Sequence, residues 1–285
     1  SGIAMEVITA SCAGACYGVK RALRLAERAA ESGRPTQTLG PLIHNPQVVD
    51  RLAAKGVGVA NAPAEVSGEC VIIRSHGVTP QVRQEIEERG VSIIDATCPH
   101  VLRAQRAAKD LAEEGRTVVV VGEKSHPEVE GLRAWAESVS DRVVVAGDAS
   151  ELPADLRGPL GVVVQTTQRR AMLEDVLSEL DARGLEYVLE DTICNATSTR
   201  QSAAEELAST VDAMVVIGGH NSSNTTRLFE ICSAISPRTF HIETPDELKR
   251  EDFAGCKRVG VTAGASTPDD IIQEVVRVLS EEFDA

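Results

Sequence analysis

Three cysteines at regular intervals constrain the fold of this chain more than any other feature of its sequence. Cys16, Cys98 and Cys194 each follow an extended, β-prone run, and each begins a segment whose apolar residues have helical spacing. A glycine recurs 24 residues after each cysteine, and a polar turn recurs 28 residues after it. These positions are Gly40, Gly122 and Gly218 for the glycine, and His44, His126 and Ser222 for the turn. An interval of about 90 residues suits a small α/β domain better than a solenoid repeat, so the sequence predicts three copies of one α/β unit.

The repeat also predicts domain boundaries and the exchange of one strand. We expect α/β units at residues 16–97, 98–193 and 194–285. The first two units each close with a β-prone run just before the next cysteine, whereas the third ends in a helical pattern at about residues 269–279. The third unit therefore lacks a strand. We predict that the N-terminal segment 5–15 joins the third unit and that residues 6–10 pair in its sheet.

Composition excludes several classes of protein. The chain has 285 residues, of which 42% are hydrophobic, so it can bury several cores, but no run reaches the roughly 20 apolar residues of a membrane span. No signal-peptide pattern is visible, and residues 1–4 look like a remnant of cloning, so we expect a cytoplasmic protein. A net charge of −14 argues against nucleic acid or an anionic membrane as a partner. Seven widely spaced cysteines without a CxxC pair argue against a disulfide framework.

The three repeated cysteines are candidate metal ligands. Each falls in the turn between a strand and the first residues of a helix, where backbone N–H groups favour a thiolate. An isolated cysteine is more often a small buried hydrophobe, and for one cysteine alone that alternative stays open. A cysteine at the equivalent position of all three repeats favours the ligand interpretation. The three thiols could converge if the units meet about a threefold axis. Cys70, Cys232 and Cys256 have no counterparts at matching offsets, so we expect them in the core.

Polar turns follow the predicted strands in every unit. Besides the turns at His44, His126 and Ser222, a further set contains Ser75-His76, Thr166 and Ser266. In parallel α/β sheets, ligands bind at the carboxyl ends of the strands, where these turns fall. Capping of the next helix is the alternative for any single Ser, Thr or Asn. The sequence contains neither a dinucleotide fingerprint nor a P-loop, so no nucleotide or flavin site is predicted.

With these residues identified, the chain closely resembles the LytB (IspH) family of 4-hydroxy-3-methylbut-2-enyl diphosphate reductases. The resemblance runs along essentially the whole sequence. The matching motifs are GVKRA at 18–22, IHN at 43–45, SHG at 75–77, DATCP at 95–99, HPEVEG at 126–131, QTT at 165–167, CNAT at 194–197, NSSN at 221–224 and TAGAS at 262–266.

This resemblance implies a fold, a cofactor and a reaction. The fold is three pseudo-threefold-related α/β domains, a trefoil, around a central iron–sulfur cluster. Cys16, Cys98 and Cys194 would ligate a 4Fe–4S cluster in which one iron lacks a protein ligand. The reaction would be the last step of the non-mevalonate isoprenoid pathway, the reductive dehydroxylation of an allylic diphosphate to isopentenyl and dimethylallyl diphosphate. An external electron donor, ferredoxin or flavodoxin, is also implied.

The resemblance assigns roles to the polar turns as well. It places the substrate diphosphate among His44, His76, Ser222, Ser223, Asn224 and Ser266, with His126 nearby. Thr166 and Glu128 would lie towards the hydroxyl group, with Glu128 as the proton source. A shielded carboxyl group near an anionic cluster would have a raised pKa. The alternative is a glutamate at a helix N-terminus, where the helix dipole would lower the pKa instead.

Two departures from the family pattern concern the first cysteine. The family usually has a bulky aromatic residue directly before it, where this chain has Ala15, and Cys12 lies four residues upstream. Cys12 is either an incidental core residue or a rival ligand in an oxidised cluster. Two other functions stay possible. One is a quinolinate-synthase-like dehydratase, which the HPEVEG and NSSN motifs disfavour, and the other is a non-catalytic iron–sulfur redox sensor, which the many polar turns disfavour.

Overall fold

Parallel four-stranded sheets form the β structure of the protein. The computed structural model describes residues 5–283, in which twelve strands form three such sheets. The residues interpreted as a cloning remnant, 1–4, and the end of the predicted third unit, 284–285, lie outside the described part of the chain. The strands are β1 (Glu6–Thr9), β2 (Thr36–Leu39), β3 (Val57–Ala60), β4 (Cys70–Ile73), β5 (Ser92–Asp95), β6 (Thr117–Val121), β7 (Val143–Ala146), β8 (Leu160–Val164), β9 (Tyr187–Glu190), β10 (Ala213–Ile217), β11 (Thr239–Ile242) and β12 (Arg258–Ala263).

All three sheets have the same strand order. The first is β3-β2-β4-β5, the second is β7-β6-β8-β9, and the third, read from its other edge, is β11-β10-β12-β1. All neighbouring strands are parallel, and in each sheet the sequential order of the strands reverses between the two central strands. Parallel α/β sheets bind ligands at such a point. Central strands such as β6, β8 and β10 consist almost entirely of buried apolar residues, as expected for strands covered on both faces. The prediction of three similar α/β units is confirmed at the level of sheet topology.

The N-terminal strand completes the third sheet. Strand β1 pairs in parallel with β12, in a register that aligns Glu6 with Arg258 and Thr9 with Val261. It occupies the edge position that β5 and β9 hold in the other two sheets. The predicted strand pairing is therefore confirmed. The observed strand ends at Thr9, one residue before the predicted end.

Within residues 5–283, an α-helix follows every strand except β3, β7 and β11. Among the described residues they are α1 (Tyr17–Glu31), α2 (Pro46–Ala54), α3 (Pro80–Glu88), α4 (Pro99–Glu113), α5 (Pro127–Glu137), α6 (Arg170–Ala182), α7 (Asn195–Ala208), α8 (Ser223–Ile235) and α9 (Asp269–Arg277). Pro80, Pro99 and Pro127 each occupy the first turn of a helix. Proline is tolerated there because the N–H groups of the first turn have no acceptor within the helix. Helix α1 buries Val19, Ala22, Ala26 and Ala29, the helical spacing expected from the sequence. No helix of residues 5–283 is long and apolar enough to cross a membrane.

The chain forms two compact units. One comprises residues up to Tyr17, His44–Pro46 and the segment from Asn195 onwards, and it contains the third sheet. Its core includes Val215, Val261 and Ile272. The other unit comprises Gly18–Ile43 and Gln47–Cys194 and contains the first and second sheets. The proposed boundaries at residues 16–97, 98–193 and 194–285 stay a prediction.

Candidate active site

Each of the three repeated cysteines directly precedes a helix. Helices α1, α4 and α7 begin one residue after Cys16, Cys98 and Cys194, respectively. The backbone N–H of each cysteine donates to a carbonyl oxygen in the turn that follows the third strand of its own sheet. The acceptors are Ala265 for Cys16 at 3.3 Å, Ser75 for Cys98 at 3.0 Å and Thr166 for Cys194 at 2.9 Å. The three thiols therefore lie at equivalent points of the repeat.

The surroundings of Cys98 fit a metal ligand. An ideal Cβ built on Gly18 would lie only 2.6 Å from the Cys98 sulfur, so any side chain at position 18 would displace the thiol. None of the three cysteines forms a disulfide within residues 5–283, and all three are partly exposed, as access for a metal requires. Sulfur donors of this kind select soft ions and iron–sulfur clusters. The residues present thus fit an iron–sulfur cluster.

A buried carboxyl group joins two turns of the second sheet. His126 caps helix α5, and Glu128 lies in the first turn of that helix with only 2% of its surface exposed. The Glu128 carboxyl group accepts the backbone N–H of Thr166 at 2.6 Å through Oε1. Its Oε2 lies 2.9 Å from the Thr166 hydroxyl oxygen. We call Glu128 and Thr166 the second-sheet junction, since they connect the turns after β6 and β8.

The environment of Glu128 raises the pKa of its carboxyl group towards neutral pH. Burial raises the pKa of Glu128 from its ordinary value to about 7, and the two bonds from Thr166, which favour the carboxylate, offset this only in part. The alternative in which the helix dipole lowers the pKa is therefore wrong in direction. A carboxyl group with a pKa near the working pH is suited to general acid catalysis.

Two histidines lie beside the second-sheet junction. The Nδ1 atom of His126 accepts the backbone N–H of Glu128 at 3.1 Å, so a neutral ring carries its proton on Nε2. His76 contacts His126 edge to face, with the ring centroids 5.6 Å apart. No hydrogen bond joins the Glu128 carboxyl group to the His126 ring among residues 5–283. The histidines and the carboxyl group are thus neighbours with separate partners.

An amide occupies the equivalent position in the third sheet. Ser222 caps helix α8, and its hydroxyl accepts the backbone N–H of Thr225 at 3.3 Å. The Oδ1 atom of buried Asn224 accepts the backbone N–H of Ala265 at 2.8 Å. We call Asn224 and Ala265 the third-sheet junction, because they connect the turns after β10 and β12. Within the described chain, the buried Nδ2 of Asn224 has no hydrogen-bond acceptor, so it can donate to a bound anion.

The remaining predicted residues of the third-sheet unit lie close to this junction. Ser223 and Ser266 are both buried, and the Ser266 carbonyl accepts the Nδ2 of Asn45 at 3.0 Å. His44 is half-buried, and an ideal Cβ on Gly219 would lie 2.6 Å from its carbonyl oxygen. Glycine is therefore required at position 219 for the backbone of His44 to approach. Capping, the alternative for these turns, accounts for the Ser222 hydroxyl but not for the Asn224 amide.

One cation of the site escaped the sequence interpretation. Arg74 directly precedes the turn of Ser75 and His76, and its Nε lies 3.4 Å from the carbonyl oxygen of Gly77. Its guanidinium group packs over Gly40, the glycine of the repeat, which has a φ of 69° and no Cβ in the way. Burial lowers the pKa of Arg74, while the charge of Glu130 opposes that shift. The strand-end position before Ser75 was the signal that could have identified it.

The structure corrects one expectation for the other cysteines. Cys70 and Cys232 are buried as expected, and Cys256 is partly buried and packs against the core of the third sheet. The interpretation of Cys12 as a core residue is wrong, because it is exposed. Cys12 has a φ of 62°, which marks a tight turn after β1 rather than a position in an element. It does not precede a helix, in contrast to the three repeated cysteines.

Solved structures of related enzymes share this fold. A structure of (E)-4-hydroxy-3-methyl-but-2-enyl diphosphate reductase, described as the terminal enzyme of the non-mevalonate pathway, matches with a TM-score of 0.70 at 44% identity, over 95% of this chain and 97% of that one. The E-1-hydroxy-2-methyl-but-2-enyl-4-diphosphate reductase of Plasmodium falciparum matches with a TM-score of 0.90, over 99% and 90% of the two chains. Its identity is 24%, so this second likeness concerns the fold alone.

Sequence comparison extends the likeness to the whole chain. The 4-hydroxy-3-methylbut-2-enyl diphosphate reductase of Geobacter sulfurreducens is 48% identical over 280 residues, which cover 98% of each chain. The enzyme of the same name from Aquifex aeolicus is 44% identical and covers 97% of this chain and 96% of its own. A family model described as LytB protein matches residues 7–280. From its sequence relatives, its family match and its three parallel sheets, we conclude that this chain belongs to the LytB protein family.

Proposed function

We propose that this chain is a 4-hydroxy-3-methylbut-2-enyl diphosphate reductase, which acts in the last step of the non-mevalonate isoprenoid pathway. The reaction consumes two electrons and two protons and breaks the allylic C–O bond. It releases water together with isopentenyl or dimethylallyl diphosphate. The observation that carries the proposal is the buried Glu128 carboxyl group, held against Thr166 at the carboxyl ends of the central strands of the second sheet, the end at which parallel α/β sheets commonly bind ligands.

Cys16, Cys98 and Cys194 would hold a 4Fe–4S cluster in which one iron has no protein ligand. Support comes from their three equivalent positions before helices and from the close approach of Gly18 to Cys98. No fourth cysteine of residues 5–283 directly precedes a helix. When bound, such a cluster supplies electrons and an open iron that acts as a Lewis acid on a substrate oxygen.

Short polar side chains would bind the diphosphate. We assign this role to the turn residues His44, His76, Ser222, Ser223, Asn224 and Ser266, with His126 nearby, and we place Thr166 towards the substrate hydroxyl group. The buried Nδ2 of Asn224 supports the assignment, because a buried donor without an acceptor is costly unless a ligand supplies one. Arg74 adds a cation to the turn of His76, and the first turns of α5 and α8 add backbone N–H groups. Anion binding is thus local in a chain of net charge −14.

Glu128 would supply a proton through Thr166. In its protonated form, Glu128 donates through Oε2 to the Thr166 hydroxyl oxygen, which lies 2.9 Å away. The Thr166 proton can then turn towards a substrate oxygen, and the pair delivers one proton to the leaving hydroxyl group. The N–H of Thr166 holds the other carboxyl oxygen in place at 2.6 Å. His126 would present its Nε2 proton to the same substrate.

An anaerobic assay tests this function. We expect enzyme prepared without oxygen and supplied with a reduced viologen to convert hydroxymethylbutenyl diphosphate to the two products. Serine in place of Cys16, Cys98 or Cys194 should abolish the cluster absorbance, whereas Cys12→Ser should retain it. A visible cluster without turnover would favour the redox sensor, and turnover of a quinolinate precursor instead would favour the dehydratase. Loss of the cluster in Cys12→Ser would contradict the ligand assignment.

We place the enzyme in the cytoplasm. No disulfide joins any of the seven cysteines in the part of the chain that the structure describes, which suits a reducing compartment. The external electron donor would be a ferredoxin or a flavodoxin, since the sequence has no nucleotide or flavin site of its own.

A further inference from the structure

A buried glutamine of helix α4 has a polar end that makes no hydrogen bond. Gln105 is only 5% exposed, and the other residues that α4 buries are apolar, for example Ala104, Ala108 and Leu111. Among residues 5–283, the Nε2 of Gln105 has no hydrogen-bond acceptor. A buried donor of this kind costs stability, so packing of the core alone does not explain a glutamine at this position.

The amide of Gln105 lies between two glycines. An ideal Cβ on Gly77 would lie 2.6 Å from Nε2, and an ideal Cβ on Gly131 would lie 3.2 Å from it. Gly77 directly follows His76 and has a φ of 76°, while Gly131 lies in helix α5, five residues after the capping His126. A side chain on either glycine would press on the amide. Gln105 therefore contacts both segments that carry these two histidines.

Helix α4 holds the turn of His76 at two points. The backbone N–H of Cys98, which precedes the helix, donates to the carbonyl oxygen of Ser75 at 3.0 Å. Gln105 contacts Gly77 from a position two helical turns further on, about 10 Å from Cys98 along the helix axis. His76 is the residue between these two contacts. The helix that follows a candidate cluster ligand therefore also fixes the backbone of His76.

The second histidine is fixed on helix α5. The Nδ1 of His126 accepts the backbone N–H of Glu128 at 3.1 Å, which holds the ring against the first turn of that helix. The centroid of this ring lies 5.6 Å from that of His76. Since Gln105 lies between the turn of His76 and α5, its side chain limits how closely the two segments approach.

We propose that Gln105 is a positioning residue of the diphosphate site, whose side chain keeps His76 and His126 at the separation that binds the anion. The inference rests on the proposed function, which assigns His76 to the diphosphate. Because the Nε2 of Gln105 has no acceptor, the side chain acts by contact and not through a hydrogen bond. An unbranched apolar side chain of similar length should therefore replace it.

The third repeat supplies a matched control. Gln201 lies seven residues after the third repeated cysteine, as Gln105 lies seven residues after the second. It is also buried, with an Nε2 that makes no hydrogen bond within the described chain. Its amide is not among the nearest neighbours of any glycine in residues 5–283, and α8 has Arg227 where α5 has Gly131. Gln201→Ala thus removes the same buried group without a change at the two glycines.

Binding and turnover of the cluster-loaded enzyme test the proposal. We expect Gln105→Ala to raise KM, and the Kd of inorganic diphosphate measured by calorimetric titration, on the order of tenfold, with kcat and cluster absorbance nearly unchanged. Gln105→Met, which keeps the length of the side chain, should restore both constants. Gln105→Asn, which keeps the amide but is one carbon shorter, should resemble the alanine variant. Gln201→Ala should leave both constants close to those of the unmodified enzyme.

The variants separate contact from a general loss of structure. Unchanged KM and diphosphate affinity in Gln105→Ala would overturn the proposal, as would equal rises in Gln105→Met or Gln201→Ala. If Gln105→Ala does not fold, the difference between Gln105→Asn and Gln105→Met decides, and its absence would overturn the proposal. Absence of turnover in the unmodified enzyme would contradict the proposed function instead, while the titration with inorganic diphosphate would still decide the role of Gln105.

Discussion

The second-sheet and third-sheet junctions make the same connection with different chemical groups. Glu128 and Asn224 each lie two residues after the polar residue that caps the helix, and each accepts a backbone N–H from the turn after a neighbouring strand. The carboxyl group of Glu128 can hold a transferable proton, whereas the amide of Asn224 keeps a fixed donor on Nδ2. The repeat thus places a side chain at the same point of both sheets. A carboxyl group at that point suits proton transfer, and an amide suits anion binding.

The comparison predicts its largest effect for Glu128→Gln. An amide at this position keeps an oxygen for the Thr166 N–H but has no acidic proton. We expect kcat to fall by roughly a hundredfold or more, with cluster content and substrate affinity retained. The control is Glu137→Gln, which neutralises an exposed glutamate at the end of the same helix. Near-normal turnover of Glu128→Gln with a full cluster would remove Glu128 from the mechanism.

The converse change, Asn224→Asp, makes the third-sheet junction resemble the second. Aspartate can still accept the N–H of Ala265, but it loses the Nδ2 donor and brings a negative charge to the diphosphate. We expect KM to rise by about ten- to a hundredfold, with a smaller change in kcat. Asn224→Ala, which adds no charge, should raise KM less. An unchanged KM in both variants would place the diphosphate elsewhere.

The pH dependence of turnover distinguishes the two junctions further. Because Glu128 must be protonated to act as an acid and its pKa is about 7, kcat should fall about tenfold per pH unit above that value. The Asn224 variants should keep this profile, whereas Glu128→Gln should lose it. A profile that is unchanged in Glu128→Gln would assign the titration to another group.

The same raised pKa also predicts an effect on stability. Between its ordinary pKa and about 7, Glu128 binds a proton in the folded state but not in the unfolded state. Its contribution to stability is therefore complete at low pH and is lost as the pH rises through 7. The free energy of unfolding of the unmodified protein, relative to Glu128→Gln, should decline over that interval by about 1.4 kcal/mol per unit of pKa difference. Denaturant titrations at several pH values measure it.

The smallest predicted effect concerns the Thr166 hydroxyl. This hydroxyl lowers the pKa of Glu128, so Thr166→Val should move the midpoint of the pH profile upwards. The variant should reduce kcat only several-fold, because Glu128 keeps its proton and can donate it without the Thr166 relay. Thr166→Ser, which keeps the hydroxyl, should restore both properties. If valine and serine behave alike, the backbone N–H of Thr166 is the only part of the residue that matters.

The repeat made much of the fold predictable. The offsets from Cys16, Cys98 and Cys194 gave the strands, the helix starts and the missing strand of the third sheet, because these depend on local periodicity. The side-chain contacts across a sheet were not predictable in this way. The bond between Asn224 and Ala265 joins residues 41 positions apart, and Arg74 reaches its place because Gly40 leaves room for it. Both depend on packing between turns, which no single motif contains.

The position of strand β1 affects the order of events during synthesis. Glu6 pairs with Arg258, so strand β1 leaves the ribosome 252 residues before the strand with which it pairs. At usual translation rates this interval lasts on the order of ten to fifty seconds. Until then its backbone N–H and C=O groups form an open edge that other chains can bind. Cys16 follows this strand closely, so its place in the proposed cluster becomes fixed only after β12 has been synthesised.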